Sequence, residues 1–437
     1  MKSSFQTILV IVFAVAFAGA VLVFSGLISV GSKKAAVATP QGTVVMWGIA
    51  PQNLIQSYLD SLNISNTDYN IVYSEHTPAT LPQELIVALA NGTPPDLILF
   101  SSEIFSQFKD KLYPIPYSAY DERTYRDTHI DGAQIFLSKE GILATPLVVD
   151  PIVMYYNKDI LAQATFVVPP KTWLNLQQAI PILTKRDARN TITQAAIALG
   201  TGTNVDHARD ILSALFLQTG NNIVTSDPVT DTATVVLANT SSASTLSPAV
   251  QALAFYTSFS DPTNANYSWN NALPSSRSQF LAGRSAFYIG RASELFTIQA
   301  QNPNLNFDVS EIFQTGANTR PVTFGSFLGV GIVKKAPNMT AAYAAAMLLG
   351  SSSSVDMLSK SLSLPPVRRD LLLVGQNNPY ISVFFKAALS AFAWPDPNPA
   401  QTEALFRDMI TSITSGRSNP AAALYDAQRE LQSYIQY

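Results

Sequence analysis

The chain has 437 residues, with 27 Lys and Arg against 30 Asp and Glu, and no cysteine. Charged residues make up 13% and hydrophobic residues 47%, the opposite of a disordered composition, and a net charge of −3 argues against a strongly basic nucleic-acid binder. Without cysteine, disulfide scaffolds, thiolate zinc sites, cysteine nucleophiles and lipidation through a thiol are excluded; the length suits two to three domains.

Residues 8–30 run for 23 positions without a charge. As a helix they would span about 34 Å, enough for a hydrocarbon core of about 30 Å. The apolar part of a cleavable signal is usually only about 7–15 residues long. The reading therefore favours a retained membrane anchor over residues 1–34; the alternative is a long cleaved signal ending near the small residues 36–38. Lys2 lies before the run and Lys33 and Lys34 after it, so the positive-inside rule leaves the orientation open. No second run of this length follows, so the body lies on one side of the membrane, and its lack of cysteine suits an extracytoplasmic one. Residues 35–42 (AAVATPQG) read as a short linker.

The body alternates strand-type and helix-type segments. Residues 43–47 (TVVMW) form a strand, 54–62 a helix, 69–74 (YNIVYS) a strand, 81–90 a helix with Pro82 in its first turn, and 95–100 (PDLILF) a third strand. This order implies parallel strands with right-handed crossovers. Their apolar character fits a sheet covered on both faces. Ligands of such sheets sit beyond the carboxyl ends of the strands, which singles out Trp47, Glu75, Ser101, Ser102 and Glu103. Residues 141–158 (GILATPLVVDPIVMYYNK) join two β-rich runs at Asp150-Pro151 without a hairpin turn. That pattern predicts one extended ribbon crossing between two domains, with Tyr155 either facing the cleft or packed beneath the ribbon. Thr172 caps a helix that Trp173 enters as a packing residue. A helix follows over 206–218, others over 248–259 and 340–349, and a Gly-spaced buried strand carrying Ser326 over 324–333. Trp269, in the polar stretch NYSWNN, is a candidate ligand platform.

Catalytic patterns are scarce. His76, His129 and His207 have no partner at metal-ligand spacing, and His207, at a helix start, reads as a surface or capping residue. No G-x-S-x-G elbow occurs, and the S-x-x-K at Ser106 lacks its companion motifs. No cofactor or metal is expected, and the balance moves towards a binding protein.

Several segments, in order, resemble the bacterial extracellular solute-binding proteins of ABC importers, in the branch that includes maltose-binding protein. They are Val44-Val45-Met46-Trp47, Pro95-Asp96-Leu97-Ile98, the run from Thr145 through Asp150 into Tyr155-Tyr156-Asn157-Lys158-Asp159, and Pro170-Lys171-Thr172-Trp173. Phe280-Leu281-Ala282-Gly283-Arg284-Ser285-Ala286-Phe287, Leu364-Pro365-Pro366-Val367-Arg368 and the tail from Ser415 continue the series. The resemblance implies an α/β fold of two lobes joined by crossing hinge strands: residues 43–149 with 318–366, and residues 150–317 with 367–437. A small solute, a carbohydrate first of all, would be held between them and delivered to a permease by a monomeric receptor that binds no nucleic acid. It places Asp150 and Trp47 beside the ligand and Phe100, Ser101 and Glu103 on a sugar-binding loop. Gly290-Arg291-Ala292 stands where the family often has Trp, and Arg291 there could favour an anionic ligand instead. An envelope lyase or hydrolase on the same scaffold, or a non-transport receptor, is the alternative.

Overall fold

Alternation of apolar and polar residues sets the first strands. In β1 (Gly42–Gly48) Val44 and Met46 are buried while Val45 is exposed, and in β2 (Tyr69–Glu75) Ile71 is buried and Val72 exposed. Only β3 (Leu97–Ser101) is buried along its whole length. The three strands are therefore apolar on both faces only at β3, and β2, at the sheet edge, keeps one side in water. Between them lie α1 (Gln52–Ser65) and α2 (Leu81–Asn91). Pairing of β1 with β2 and with β3 is parallel, as the β-α-β-α-β order requires.

These elements belong to a computed structural model that describes residues 41–66, 68–227, 232–238, 247–316 and 319–435. The expected anchor over residues 8–30 lies outside the described residues. Among the described residues, no helix is long and apolar enough to cross a membrane.

Two long strands carry the chain across the molecule. In β4 (Thr145–Asn157) and, later, β8 (Thr323–Val333) nearly every residue is buried. Between them the second half forms α3 (Trp173–Leu183), β5 (Ile192–Ile197), α4 (Ala208–Gln218), β6 (Ser285–Arg291) and β7 (Phe307–Ser310). The main hydrogen-bonded order is β2-β1-β3-β8-β4-β6-β5, with β7 also on β4. The register shows where β4 changes partners. Val149 and Asp150 pair with Phe327 and Ser326 of β8, whereas Ile152 and Val153 pair with Arg291 and Gly290 of β6.

Side-chain alternation along β4 feeds four cores. Val148 and Val149 enter the two cores on opposite faces of the first half, and Met154 and Tyr155 enter the two of the second. A sheet fully covered on both faces in this way needs the continuous apolar run seen in the sequence. On β8 the handover falls between Phe324, in a second-half core, and Phe327, in a first-half core. A further passage lies at Ala391–Trp394, since Ala391 packs in the first half and Trp394 in the second.

The expected lobe boundary at 366/367 shifts accordingly. Val367 and Leu372 pack with Phe100 and Phe327 in the first half. The reason is backbone pairing: the Val149 amide donates to Pro365 and the Val367 amide to Leu147, so this segment runs alongside β4 rather than leaving it. Likewise Phe324, at the start of β8, packs in the second-half core; the expected return to the first half at 318 lies outside the described residues.

Candidate functional site

The first turn of α4 is built from ionic residues on an apolar helix. His207 precedes it with φ +60, and Ile211, Leu212, Ala214, Leu215 and Phe216 are all buried in the second-half core. Anchored by that face, Arg209 and Asp210 are carried inside with it, at 6% and 2% exposure. Burying ions in this way is tolerable only if they are paired and hydrogen-bonded, and here they are.

The Nη2 atom of Arg209 donates to Glu103 at 2.6 Å and to Asp210 at 3.1 Å, and Nη1 donates to Asp396 at 3.2 Å. Arg291, at the end of β6, donates through Nη2 to the same Glu103 oxygen at 2.6 Å and to Asp210 at 2.7 Å. His207 contacts the Glu294 carboxylate through Nε2 and lies 3.6 Å from Asp210 through Nδ1. Glu294 also accepts from the Tyr288 hydroxyl at 2.7 Å and the Arg291 amide at 3.1 Å. Asp396 accepts from Thr402 Oγ1 at 2.7 Å and from the Asn398 amide at 3.0 Å. Glu103 follows β3 and belongs to the first half; its other oxygen faces Ser326 Oγ at 3.4 Å. The cluster therefore straddles the divide between the halves, beside the point where β4 changes partners.

Protonation follows from these contacts. Burial raises the Asp210 pKa, but Arg291, Arg209 and His207 outweigh it and hold the carboxyl well below its usual range. Burial likewise opposes a charged His207, yet Asp210 and Glu294 push it up to about 10, so at neutral pH it is a cation. Burial pushes Asp396 up to about 6 despite Arg209. Asp150 is raised by burial, with Arg291 and Ser293 opposing; its oxygens accept from the Ser293 amide at 3.0 Å and hydroxyl at 2.6 Å.

Of the residues singled out in the sequence, the structure gathers Glu103, Asp150, Arg291 and Ser326 at the crossing. Tyr155 lies beneath them, fully buried, its hydroxyl donating to the Arg291 carbonyl at 2.7 Å; it packs under the ribbon rather than facing the cleft. Ser101 is buried with its backbone paired to Leu328, and Ser102 is tied to Phe327 in both directions. Trp47 is half-buried and stacks on His76 with ring centroids 4.5 Å apart. Glu75 accepts from the Gln52 amide at 2.7 Å, which makes it a cap for the first turn of α1. Three expectations are corrected. Phe100 is fully buried, edge-on to Phe108 and Phe136, because both faces of β3 are covered. Trp269 is fully buried in the second-half core, its Nε1 donating to Asn204 at 3.0 Å; the surrounding asparagines make turns rather than a ligand surface. Arg291 is no open anion fork either, since Glu103 and Asp210 already occupy it.

Arg209, Asp210, Glu294 and Asp396 were not singled out; His207, expected as a surface or capping residue, stands at the N-cap position of α4 and turns its ring to Glu294 and Asp210. The one available signal was His207-Ala208-Arg209-Asp210 itself, three ionisable residues in four, directly before the apolar run ILSALFL in a chain with few charges.

A groove of about 980 Å³ is lined by residues of both halves. Pro82, Gln83 and Ile86 of α2 with Ser106 and Gln107 form one wall, and Pro395, Pro397 and Gln401 belong to the other. Among the described residues, no group of three or more His, Asp or Glu is placed to hold a metal ion.

Residues 57–382 match the model of the bacterial extracellular solute-binding protein family. The chain belongs to that family. It is therefore a binding protein rather than an enzyme. No curated protein sequence matches it. Among solved structures, it is similar to the cyclic alpha-maltosyl-1,6-maltose binding protein from Arthrobacter globiformis (17% identity, 90% of this chain and 98% of the other, TM-score 0.71). It is also similar to the GacH receptor of Streptomyces glaucescens, solved unliganded and with acarbose (18%, 91% and 100%, 0.66). A third is an ABC transporter solute-binding protein from Thermotoga lettingae bound with alpha-D-tagatose (20%, 91% and 100%, 0.64). At these identities the likeness is one of fold, and it gives the solute-binding protein the two-lobed α/β architecture expected of its sequence.

Proposed function

We propose that this solute-binding protein is the extracytoplasmic receptor of an ABC importer and takes a small, uncharged, hydroxyl-rich solute, a carbohydrate, between its two halves. The observation that carries this reading is the meeting of Glu103 from one half with Arg209 and Arg291 from the other, where the chain passes between them. A polar surface divided between two bodies that several chain passages join is what closure around a guest requires. Carboxylates and serine hydroxyls at Glu103, Asp150, Ser293 and Ser326 suit hydroxyl donors and acceptors. The arginines are already neutralised, which disfavours an anionic guest. Carbohydrates named with the similar structures support the same class. We further infer that residues 8–30 tether the monomeric body to the cell membrane and that the loaded form is handed to a permease.

The test is thermal denaturation of the full chain against maltotriose, mannobiose, tagatose and a polyol series. A solute at about 100 times its Kd stabilises the folded state by about 2.7 kcal/mol, a readily measured rise in Tm. A flat response to every sugar and polyol would reject the carbohydrate class. Retention of the full chain in a carbonate-washed membrane fraction tests the tether, and release into the wash rejects it.

A further inference from the structure

Among the described residues of the ion cluster, Glu103 alone comes from the first half; His207, Arg209, Asp210, Arg291, Glu294 and Asp396 belong to the second. One Glu103 oxygen lies 2.6 Å from a guanidinium nitrogen of both Arg209 and Arg291. Charge-assisted hydrogen bonds of this length are roughly twice as strong as neutral ones. Nothing in this bridge needs a solute: the second half supplies the paired cations, and the first half supplies the anion. The other Glu103 oxygen is only 3.4 Å from Ser326 Oγ and keeps acceptor capacity for a hydroxyl. Glu103 and Arg291 also retain 18% and 21% side-chain exposure, so water and salt reach the bridge.

We propose that Glu103 is a built-in anion that holds the empty cleft shut, its carboxylate bridging Arg209 and Arg291 across the two halves before any guest arrives. The closed form is then populated without solute, and solute exchange passes through rupture of this bridge. A guest therefore does not have to draw the halves together from a wide-open state; it shifts an equilibrium already biased towards closure. The same residue sets charge preference, because it occupies the place between the two guanidinium groups that a carboxylate-bearing guest would need. The proposal rests on the two-halved receptor reading but not on which sugar is bound.

The experiment uses the full chain in detergent, without sugar. The protein has no native cysteine, so Lys335→Cys in the first half and Lys185→Cys in the second carry spin labels at unique sites, and pulsed EPR reads the distance between halves. With Glu103 present, a short-distance population dominates at low salt and declines as NaCl rises. In Glu103→Ala the ratio of short to long distances falls roughly tenfold or more, as loss of two charge-assisted bonds requires. Sodium formate, small enough to enter the vacated place, restores the short population, while NaCl at equal ionic strength does not. Should the alanine variant fold poorly, Glu103→Gln keeps the shape, removes the charge and is expected to show the same loss. Unchanged distances in a folded Glu103 variant, or equal effects of formate and chloride, overturn the proposal. A parent protein that shortens only on adding sugar overturns the latch while leaving the receptor function standing; one that is closed throughout and unmoved in Tm by any sugar does the reverse.

Discussion

The two halves bury polarity in opposite ways. In the first, the buried Asp96 is met by backbone amides, Val45 at 2.9 Å and Asn338 at 2.7 Å. His129 is buried and neutral, with Nδ1 on the Tyr125 carbonyl and, among the described residues, no partner for Nε2. In the second, ions are set against ions at His207, Arg209, Asp210, Arg291 and Glu294. Hydrogen bonds to the backbone do not depend on another side chain's charge or on salt, although a buried imidazole such as His129 still responds to pH. A net of mutually neutralised ions is conditional on every charge being present. The half that carries the net is thus the one whose cleft surface responds to charge, and the other supplies hydroxyls and a single bridging carboxylate.

Removing the centre of the net gives the largest effect. Asp210 faces Arg209, Arg291 and His207 at once and is almost fully buried. Asp210→Ala leaves these cations facing one another, and breaking a buried pair from one side costs about 3–5 kcal/mol. Chemical denaturation measures it. A loss below about 1 kcal/mol, the scale of an exposed pair, would show that the cluster is wet and would erase the contrast between the halves.

Much of this architecture was legible in the sequence, and the reason is local. Residues 69–74 and 81–90 alternate and repeat at periods that only a strand and a helix satisfy, and the structure places β2 and α2 there with ends shifted by one residue. Thr172 announced its helix by side-chain chemistry. The ribbon at Asp150 was readable because an apolar run interrupted only by Asp-Pro has no hairpin turn. What was not legible depends on distance along the chain. Glu103 and Arg209 are 106 positions apart, and Asp396 lies 187 beyond Arg209; no pattern of spacing joins them. Trp269 misled for a related reason, since the Asn270 side chain accepts from the Ala272 amide of its own turn and is not polar because the ring beside it faces water.

Two histidines turn the contrast into a pH experiment. His207 has its pKa raised to about 10 by Asp210 and Glu294 against burial, whereas in the unfolded chain it lies near 6.5. Below about 6.5 both states hold the proton and the contribution is complete. Between about 6.5 and 10 only the folded state keeps it, so stability falls as pH rises, by an amount on the order of 5 kcal/mol. His207→Gln should flatten that alkaline limb; an unchanged slope would remove His207 from the net.

His129 runs the other way. Burial lowers its pKa to about 4, with Arg368 and Arg369 reinforcing and Asp370 and the Tyr125 carbonyl opposing. Above about 6.5 neither state is protonated. As pH falls from there towards 4 the unfolded chain takes up the proton first, and stability drops by an amount on the order of 2–3 kcal/mol. Asp396, raised by burial to about 6, opposes this in the same window: the folded state protonates first, so its contribution grows on acidification. His129→Phe should therefore make the acid limb shallower, and Asp396→Asn should make it steeper. Equal slopes in the two variants would mean that the halves do not differ in this respect.

The smallest effect separates the net from ordinary helix chemistry in the same half. Thr172 Oγ1 accepts from the Asn175 amide at 3.1 Å and donates to Asn175 Oδ1 at 2.7 Å, closing the start of α3, a helix that contributes none of the clustered ions. Replacing a capping hydroxyl by Ala costs about 1 kcal/mol. Thr172 has no charge to gain or lose, so Thr172→Ala should lower the denaturation midpoint equally at every pH and salt concentration. The alkaline limb set by His207 and the salt response of the Glu103 bridge should persist. If Thr172→Ala changed either slope, packing of the second half would govern the net as a whole. The distinction between backbone-held and ion-held polarity would then lose its physical basis.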